Sequence, residues 1–280
     1  MIAEITCRHE MLMEVFVLNM SYEEAEMMIR PVKEAFPDVK TVGLSVFAVD
    51  PSDIDEEGRN PNTEPELFLN FKVFSCSEVR IHVFDLEKLT VDELIDGARA
   101  RIAEQRDLKG IEVYAANHSL PTSRILEALT RGNEQIPMFG MIAEVFDQGE
   151  NGRRQFFFSD YAVESGIMLI LYSGAVLSVK ADYIFGWKPV GKRMSVQVGD
   201  YPKNGGDTAL TSIDGMKPDE VFRKYFGIGF DRYFIPQLRE FPFVVERNGA
   251  YIGRFPCYYT DEGELVFAGS ISPDEKVQFS

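Results

Sequence analysis

The chain has 280 residues and a formal net charge of −16, with 45 Asp and Glu against 29 Lys and Arg. This length is enough for one large domain or for two of ordinary size. The acidic balance argues against binding to nucleic acid or to an anionic membrane surface, because both require clustered Lys and Arg.

The cysteines and histidines are few and widely spaced along the chain. They are Cys7, Cys76 and Cys257, with His9, His82 and His118. An odd number of cysteines without a CxxC spacing predicts reduced thiols, a cytoplasmic location and no zinc site. The scattered histidines likewise predict no metal cluster. No apolar run reaches the roughly 18 residues of a membrane span, and the N-terminus does not resemble a signal peptide.

The first part of the chain predicts strands that alternate with helices. We expect strands at 13–19, 40–49, 66–74, 79–86, 111–116, 137–146, 154–159 and 165–172, and helices at 22–35, 90–104 and 121–130. Ser21 and Glu24 form the pattern of a capping box at the start of the first helix. Pro31 lies inside that helix and predicts a kink or an early end.

Two passages of this part follow the same order of elements. Asn19-Met20-Ser21 and Asn117-His118-Ser119 lie 98 positions apart, and the strand glycines Gly43 and Gly140 lie 97 apart. An internal repeat and a chance similarity between two βαβ units both remain open. In a repeat, both Asn-x-Ser turns would follow strand C-termini and face helix N-termini, where open α/β sheets usually bind ligands.

The Asn-x-Ser turns have a functional and a purely structural interpretation. Asn19, Asn117, His118 and Ser119 are able to donate or accept hydrogen bonds to a ligand, and His118 adds a titratable group. The alternative is that the second turn only caps a helix and leaves His118 exposed.

A short loop at 186–191 separates this part from the rest of the chain. It follows an apolar segment, 176–184, that predicts a strand, and it contains Trp187, the single tryptophan of the chain. Two glycines and a proline give the loop a defined shape. Trp187 either stacks on a ligand, with Lys188 or Arg193 binding a ligand carboxylate, or seals the junction between the two halves.

The remaining residues favour β structure and turns. We expect strands at 194–198, 208–213, 241–246, 251–258, 264–267 and 276–279, and one helix at 218–225. Asn248-Gly249 predicts a hairpin turn. Arg254 either binds an anion or pairs with an acidic residue of the protein. The prediction is therefore a mixed-sheet α/β half at 1–185, with or without a βαβββ-type repeat, and a β-rich α+β half at 186–280.

The order of several short motifs resembles the FIST domain, a bacterial ligand-sensing module. The motifs are the loop 187–191, Arg254 with Pro256, the turn 261–263, the strand end 267–269 and the segments 35–45 and 136–145. No single motif is specific, and the ordered set covers nearly the whole chain.

The resemblance implies a cytoplasmic sensor that binds small molecules such as amino acids, without catalytic residues or cofactors. Its expected partner is a fused or neighbouring output module, such as a diguanylate cyclase, a chemotaxis receptor or a histidine kinase. The chain ends on an apolar strand, which favours a fragment of a protein with such a module, and a homodimer stays open. The candidate ligand-binding residues are Asn19, Asn117, His118, Ser119, Trp187, Lys188 and Arg254.

Two alternatives from other functional classes remain. The first is a hydrolase that uses Ser119 and His118, although the chain has no G-x-S-x-G nucleophile elbow. The second is a scaffold for protein interactions, which predicts no response to small molecules.

Overall fold

The computed structural model describes residues 9–46, 64–116, 120–143, 155–182, 186–199, 207–229, 234–247, 249–267 and 269–280. The strands are β1 (His9–Leu18), β2 (Lys40–Val46), β3 (Glu66–Ser75), β4 (Glu78–Asp85), β5 (Leu108–Ala116), β6 (Met138–Ala143), β7 (Phe157–Phe158), β8 (Ala162–Val163), β9 (Gly166–Ser173), β10 (Val190–Val198), β11 (Thr208–Ile213), β12 (Phe243–Arg247), β13 (Ala250–Arg254), β14 (Pro256–Tyr259), β15 (Leu265–Phe267) and β16 (Lys276–Phe279). The helices are α1 (Tyr22–Ala35), α2 (Val91–Ala103), α3 (Thr122–Thr130), α4 (Pro218–Phe226) and α5 (Phe234–Arg239).

The first nine strands form two sheets that pack face to face. One sheet has the order β3-β1-β2-β7-β8 and the other β4-β9-β5-β6. Apolar side chains from both sheets, including Leu12 and Tyr114, form the core between them. Helix α1 packs on the outer face of the first sheet, and α2 and α3 pack on the outer face of the second. The layers are therefore helix, sheet, sheet and helix, which confirms the α/β class.

Helix α1 begins as its capping box predicts. Ser21 Oγ accepts from the Glu24 N–H, and the Glu24 carboxylate accepts from the Ser21 N–H. The helix continues through Pro31 to Ala35, so the early end predicted from Pro31 does not occur. Pro31 has no N–H to donate to the Met27 carbonyl, and both residues lie on the exposed face of the helix, while Ile29 is buried on the other face.

Both units have the predicted strand–helix–strand order, which an internal repeat and two similar βαβ units would share. Strand β1 pairs parallel with β2, with Val15 opposite Gly43, and β5 pairs parallel with β6, with Val113 opposite Gly140. The strand pairs that follow are arranged differently in the two units. Strands β3 and β4 lie in different sheets, and β7 joins the first sheet while β9 joins the second. The first unit therefore contributes β4 to the second sheet, and the second unit contributes β7 and β8 to the first.

The two units start at the same end of the sandwich. The Glu10 carboxylate accepts from the Val79 N–H at 2.8 Å, which places the start of β1 at the start of β4. Strand β9 lies between β4 and β5, and its end, Ser173, is opposite both Glu78 and Leu108. The C-terminal ends of the parallel strands β1, β2, β5 and β6 therefore lie together at the other end.

The rest of the chain forms one antiparallel sheet with the order β13-β12-β16-β10-β11-β15-β14. Helices α4 and α5 cover it, and Phe222 packs at the centre of its aromatic core. This confirms a β-rich second half. Helix α5 is additional to the one helix predicted for this half. The last strand of the first two sheets ends at Ser173, and the first strand of the antiparallel sheet begins at Val190. The predicted domain boundary after residue 185 lies between these two residues and stays a prediction.

The strand predicted at 176–184 is wrong for its described residues. Residues 174–182 have no strand, although Leu177 and Val179 pack against the core between the sheets. Gly110 on β5 leaves the space that Val179 fills, since a Cβ at Gly110 would lie 2.7 Å from it. The apolar pattern of the segment reflects this packing and not membership of a sheet.

The prediction that all cysteines are reduced is wrong for Cys76, which is disulfide-bonded. Cys257 is a free and buried cysteine. Among the helices of the described segments, none is long and apolar enough to cross a membrane.

Candidate functional site

A carboxylate from the second half of the chain caps helix α3 of the first half. Pro121, the residue before α3, provides no side-chain cap. The Asp207 carboxylate instead accepts from the Ser123 N–H at 3.0 Å and from the Ser123 hydroxyl at 2.7 Å. The N-terminus of a helix favours a negative charge, so this contact holds the two halves together at the C-terminal end of β5.

Two further residues complete this group, which we call the junction cluster: Ser123, Asp207, Arg254 and Ser270. The Ser270 N–H donates to Ser123 Oγ at 3.2 Å, and Arg254 Nε donates to the Ser270 carbonyl at 2.8 Å. The neighbouring Arg247 also donates to this carbonyl at 2.8 Å and is paired with Glu275. The strand β11 and the loop before β16 therefore position the cluster against α3.

Burial raises the pKa of the Asp207 carboxyl above its ordinary value. The hydrogen bonds from Ser123 and the charge of Arg254 act in the opposite direction, and Glu127 on α3 adds a smaller upward contribution. The junction thus contains a carboxylate that is held in place but only partly compensated for its loss of hydration.

Trp187 lies against the second half of the chain. Its ring meets Phe255 in an edge-to-face contact, with ring centroids 5.6 Å apart, and Phe255 follows Arg254 directly. The Trp187 side chain is 42% exposed. Phe255 therefore supports the indole on one side, while a substantial part of the ring faces solvent.

The structure brings together only some of the predicted site residues. Arg254 belongs to the junction cluster, and Trp187 lies against its neighbour Phe255. Asn19 ends β1 with a positive φ of 55°, at the same end of the sandwich as α3. Lys188 is exposed, and Arg193, the alternative to it, pairs with Glu246.

Asn117, His118 and Ser119 lie outside the described residues. In the chain they come between the end of β5 and the start of α3, and Ser119 precedes Ser123 by four residues. The hydrolase alternative, which rests on His118 and Ser119, stays untested. Within the described ranges, no three His, Cys, Asp or Glu side chains form a group that would hold a metal ion.

The core between the sheets contains a second polar group that the sequence interpretation missed. This inter-sheet cluster consists of Glu14, Lys72, Glu112, Tyr114 and Tyr172. Lys72 Nζ contacts both carboxylates and lies 3.1 Å from Glu112 Oε2. The Tyr172 hydroxyl donates to Glu112 at 2.5 Å, and the Tyr114 hydroxyl donates to Glu14 at 3.4 Å.

Burial is the largest cause that raises the pKa of both tyrosines far above the ordinary value, and the two carboxylates add to it. Both hydroxyls therefore stay protonated and serve as donors. The exposed fractions of Glu14 and Glu112 are only 3% and 7%, so the single ammonium of Lys72 balances two buried acids. The cluster ties β1, β3, β5 and β9 together across the core.

A signal for this cluster is present in the sequence. Met13-Glu14-Val15-Phe16 and Ile111-Glu112-Val113-Tyr114 share an acid and an aromatic residue at the repeat offset of 98. Phe16 and Tyr114 face each other with ring centroids 6.5 Å apart. A glutamate in the middle of each apolar strand of a repeat indicates a paired site between the two units.

The fold is that of a mixed α/β protein whose two halves meet at the N-terminus of α3, beside the C-terminal end of a parallel strand. Comparison with protein families gives the more specific assignment. The model of the FIST N domain matches residues 12–215, so the chain belongs to the FIST family, a family of sensory domains. The match extends beyond the first two sheets to include β10 and β11. No curated protein is significantly similar to the chain in sequence.

Proposed function

We propose that this sensory domain binds a small molecule at the junction cluster and changes the contact between its two halves. The observation that carries the proposal is the Asp207 carboxylate on the N-terminus of α3, since a ligand carboxylate could take its place there and so change how the halves meet. The position, at the C-terminal ends of parallel strands, is where open α/β sheets usually bind ligands.

The chemistry of the junction favours a ligand that carries a carboxylate, such as an amino acid. Arg254 and the N-terminus of α3 both favour an anion, and Trp187 offers a partly exposed aromatic face beside them. A ligand that binds more tightly to one arrangement of the halves shifts the population toward that arrangement. The domain then transmits binding as a change in how its halves meet.

Such a change would regulate a signalling module, fused or separate, of the diguanylate cyclase, chemotaxis receptor or histidine kinase type. This step rests on the family assignment. The proposed cytoplasmic location also rests on the family alone, because the disulfide at Cys76 removes the support that reduced thiols would give. We propose no catalytic role for the chain.

A thermal-shift screen with the twenty amino acids and related carboxylates tests this function. A ligand that binds only the folded state raises the melting temperature with its concentration. We expect at least one compound to do so and to be recovered chemically unchanged. Conversion of the compound would instead favour the hydrolase, and no shift with any compound would favour the scaffold.

A further inference from the structure

Gln155 is a buried polar residue whose side-chain oxygen has no partner. It is among the residues that the structure describes, it is only 5% exposed, and its amide oxygen Oε1 has no hydrogen-bond partner. A buried acceptor without a hydrogen bond costs free energy, so such groups in native proteins usually bond to an ordered water or to a ligand. The unpaired oxygen therefore indicates a partner that is not part of the chain.

The place of Gln155 follows from its neighbours on the first sheet. Phe157 packs in the core between the two sheets, whereas Phe156 and Phe158 pack in the cluster under α1 on the outer face. Side chains alternate along an extended chain, so Gln155 lies on the same face as Phe157. The Phe156 carbonyl accepts from the N–H of a β2 residue at 2.8 Å, which places Gln155 beside Val46, the last residue of β2. Gln155 therefore faces the second sheet at the C-terminal end of β2.

The second sheet ends there in two small residues. Ala116 and Ala143 are the last residues of β5 and β6, and they lie opposite each other in the parallel pairing. Both belong to the core between the sheets, as Val46 does, and β7 contacts β5 while β2 contacts β6. Gln155, Val46, Ala116 and Ala143 therefore lie together at the C-terminal end of the parallel strands, and we call them the strand-end site.

The other side chains of the strand-end site do not suit a buried water. Such a water usually makes about three hydrogen bonds to polar groups of the protein. Val46, Ala116 and Ala143 are aliphatic, so their side chains offer none. A molecule with one hydrogen-bond donor and an apolar body suits the site better, because its body removes water from the aliphatic surface. A charged molecule would lose its hydration without a counter-charge from these residues.

We infer that the strand-end site binds a small neutral molecule that donates an O–H or N–H group to Gln155. The C-terminal ends of parallel strands are where open α/β sheets usually bind ligands. The site is separate from the junction cluster, which lies at α3 on the outer face of the second sheet. The domain thus has a site for a neutral molecule in addition to the proposed site for a carboxylate.

Ligand-observed NMR with small probes tests the class of ligand. The neutral probes are 2-propanol, acetamide and phenol, each of which has a donor and an apolar part. We expect at least one of them to bind the wild type. Propionate and propylammonium, at equal concentration, should not displace it, because the strand-end site offers no counter-charge. Displacement by either ion, or no binding of any neutral probe, as for a site that holds only water, would overturn the inference.

Two variants test the location of the bound probe. Gln155→Met keeps the length of the side chain but removes the amide, so it should weaken binding about tenfold. The same variant should raise the melting temperature of the ligand-free protein by about 2–4 °C, since no buried oxygen is left unpaired. Ala143→Val narrows the site from the other sheet and should also weaken binding.

Gln197→Met is the matched control, because Gln197 is exposed on β10 in the other half of the chain. It should keep the wild-type affinity and melting temperature. Wild-type affinity in both Gln155→Met and Ala143→Val would place the probe elsewhere and overturn the inference. None of these results depends on the junction cluster, so the proposal for that cluster stands or fails separately.

Discussion

Asp207 shows how one carboxylate serves two purposes at the junction. It caps α3 with its oxygens, and it also links the second half of the chain to the first. Burial raises its pKa, so its charged form is less stable in the folded protein than in water. The cap contact therefore contributes less to stability than its geometry alone indicates, which is a suitable property for a contact that has to open.

Replacement of Asp207 by Asn should leave the stability at pH 7 unchanged or raise it. The amide oxygen still accepts from Ser123, and no charge is buried. Because the folded-state pKa of Asp207 is raised, its favourable contribution is complete below the unfolded value of about 3.9 and is lost as the pH rises through the folded value. The advantage of the variant should therefore shrink as the pH falls from 7 towards 4 in urea-unfolding experiments.

The control for this experiment is Asp214→Asn, which should behave in the opposite way. Hydrogen bonds from Lys192 and Ser195 lower the pKa of Asp214. Its contribution is present above the unfolded pKa and is lost as the pH falls, so the variant should be less stable than the wild type at pH 7 and approach it in acid. Equal pH profiles for the two variants would contradict the assignment of Asp207.

At the scale of elements, the inter-sheet cluster is the contact that fixes the two repeated units to each other. Lys72 on β3 lies between Glu14 on β1 and Glu112 on β5, and each glutamate occupies the middle of its strand. The ammonium is the shared partner of two buried acids. Removal of one partner from a buried ion pair leaves an uncompensated charge, which costs more than the pair itself contributes.

Lys72→Met should therefore lower the free energy of unfolding by about 3–5 kcal/mol. Lys33→Met is a matched control, because the two lysine side chains are 31% and 29% exposed while Lys33 pairs with one partly exposed glutamate, Glu26. That control should cost about 0–1 kcal/mol. Urea unfolding at neutral pH measures both, and similar losses would show that the buried acids do not depend on Lys72.

The sequence predicts elements well where local chemistry decides them. The capping box predicted at Ser21 is present, and α1 covers the predicted residues. Prediction fails where tertiary contacts decide. The segment around Val179 packs against Gly110 without joining a sheet, and α1 continues through Pro31, which lies on its exposed face.

At the scale of the whole molecule, the shared order of elements in the two units was visible in the sequence, but the exchange of strands between the units was not. Asn19 and Asn117 occupy equivalent places in the order of elements, and that order can be read from the sequence. The pairing of β4 with β9 depends instead on how the two sheets pack, which the sequence order does not show. The candidate site shows the same division. Arg254 was predicted either to bind an anion or to pair with an acidic residue, but its place beside Ser123 and Asp207 depends on how the halves meet, which no local pattern encodes.

The central claim is that a ligand with a carboxylate binds at the junction cluster. Isothermal titration of the most stabilising amino acid into the wild type, Arg254→Gln and Arg193→Gln tests it most directly, once both variants are shown to fold. Arg193 pairs with Glu246 on the same sheet as Arg254 but outside the cluster.

Loss of a hydrogen bond to a charged group costs about 1.5–3 kcal/mol, so Arg254→Gln should raise the dissociation constant about tenfold or more. Arg193→Gln should keep the wild-type value. Equal affinity in all three proteins would place the ligand elsewhere and contradict the account.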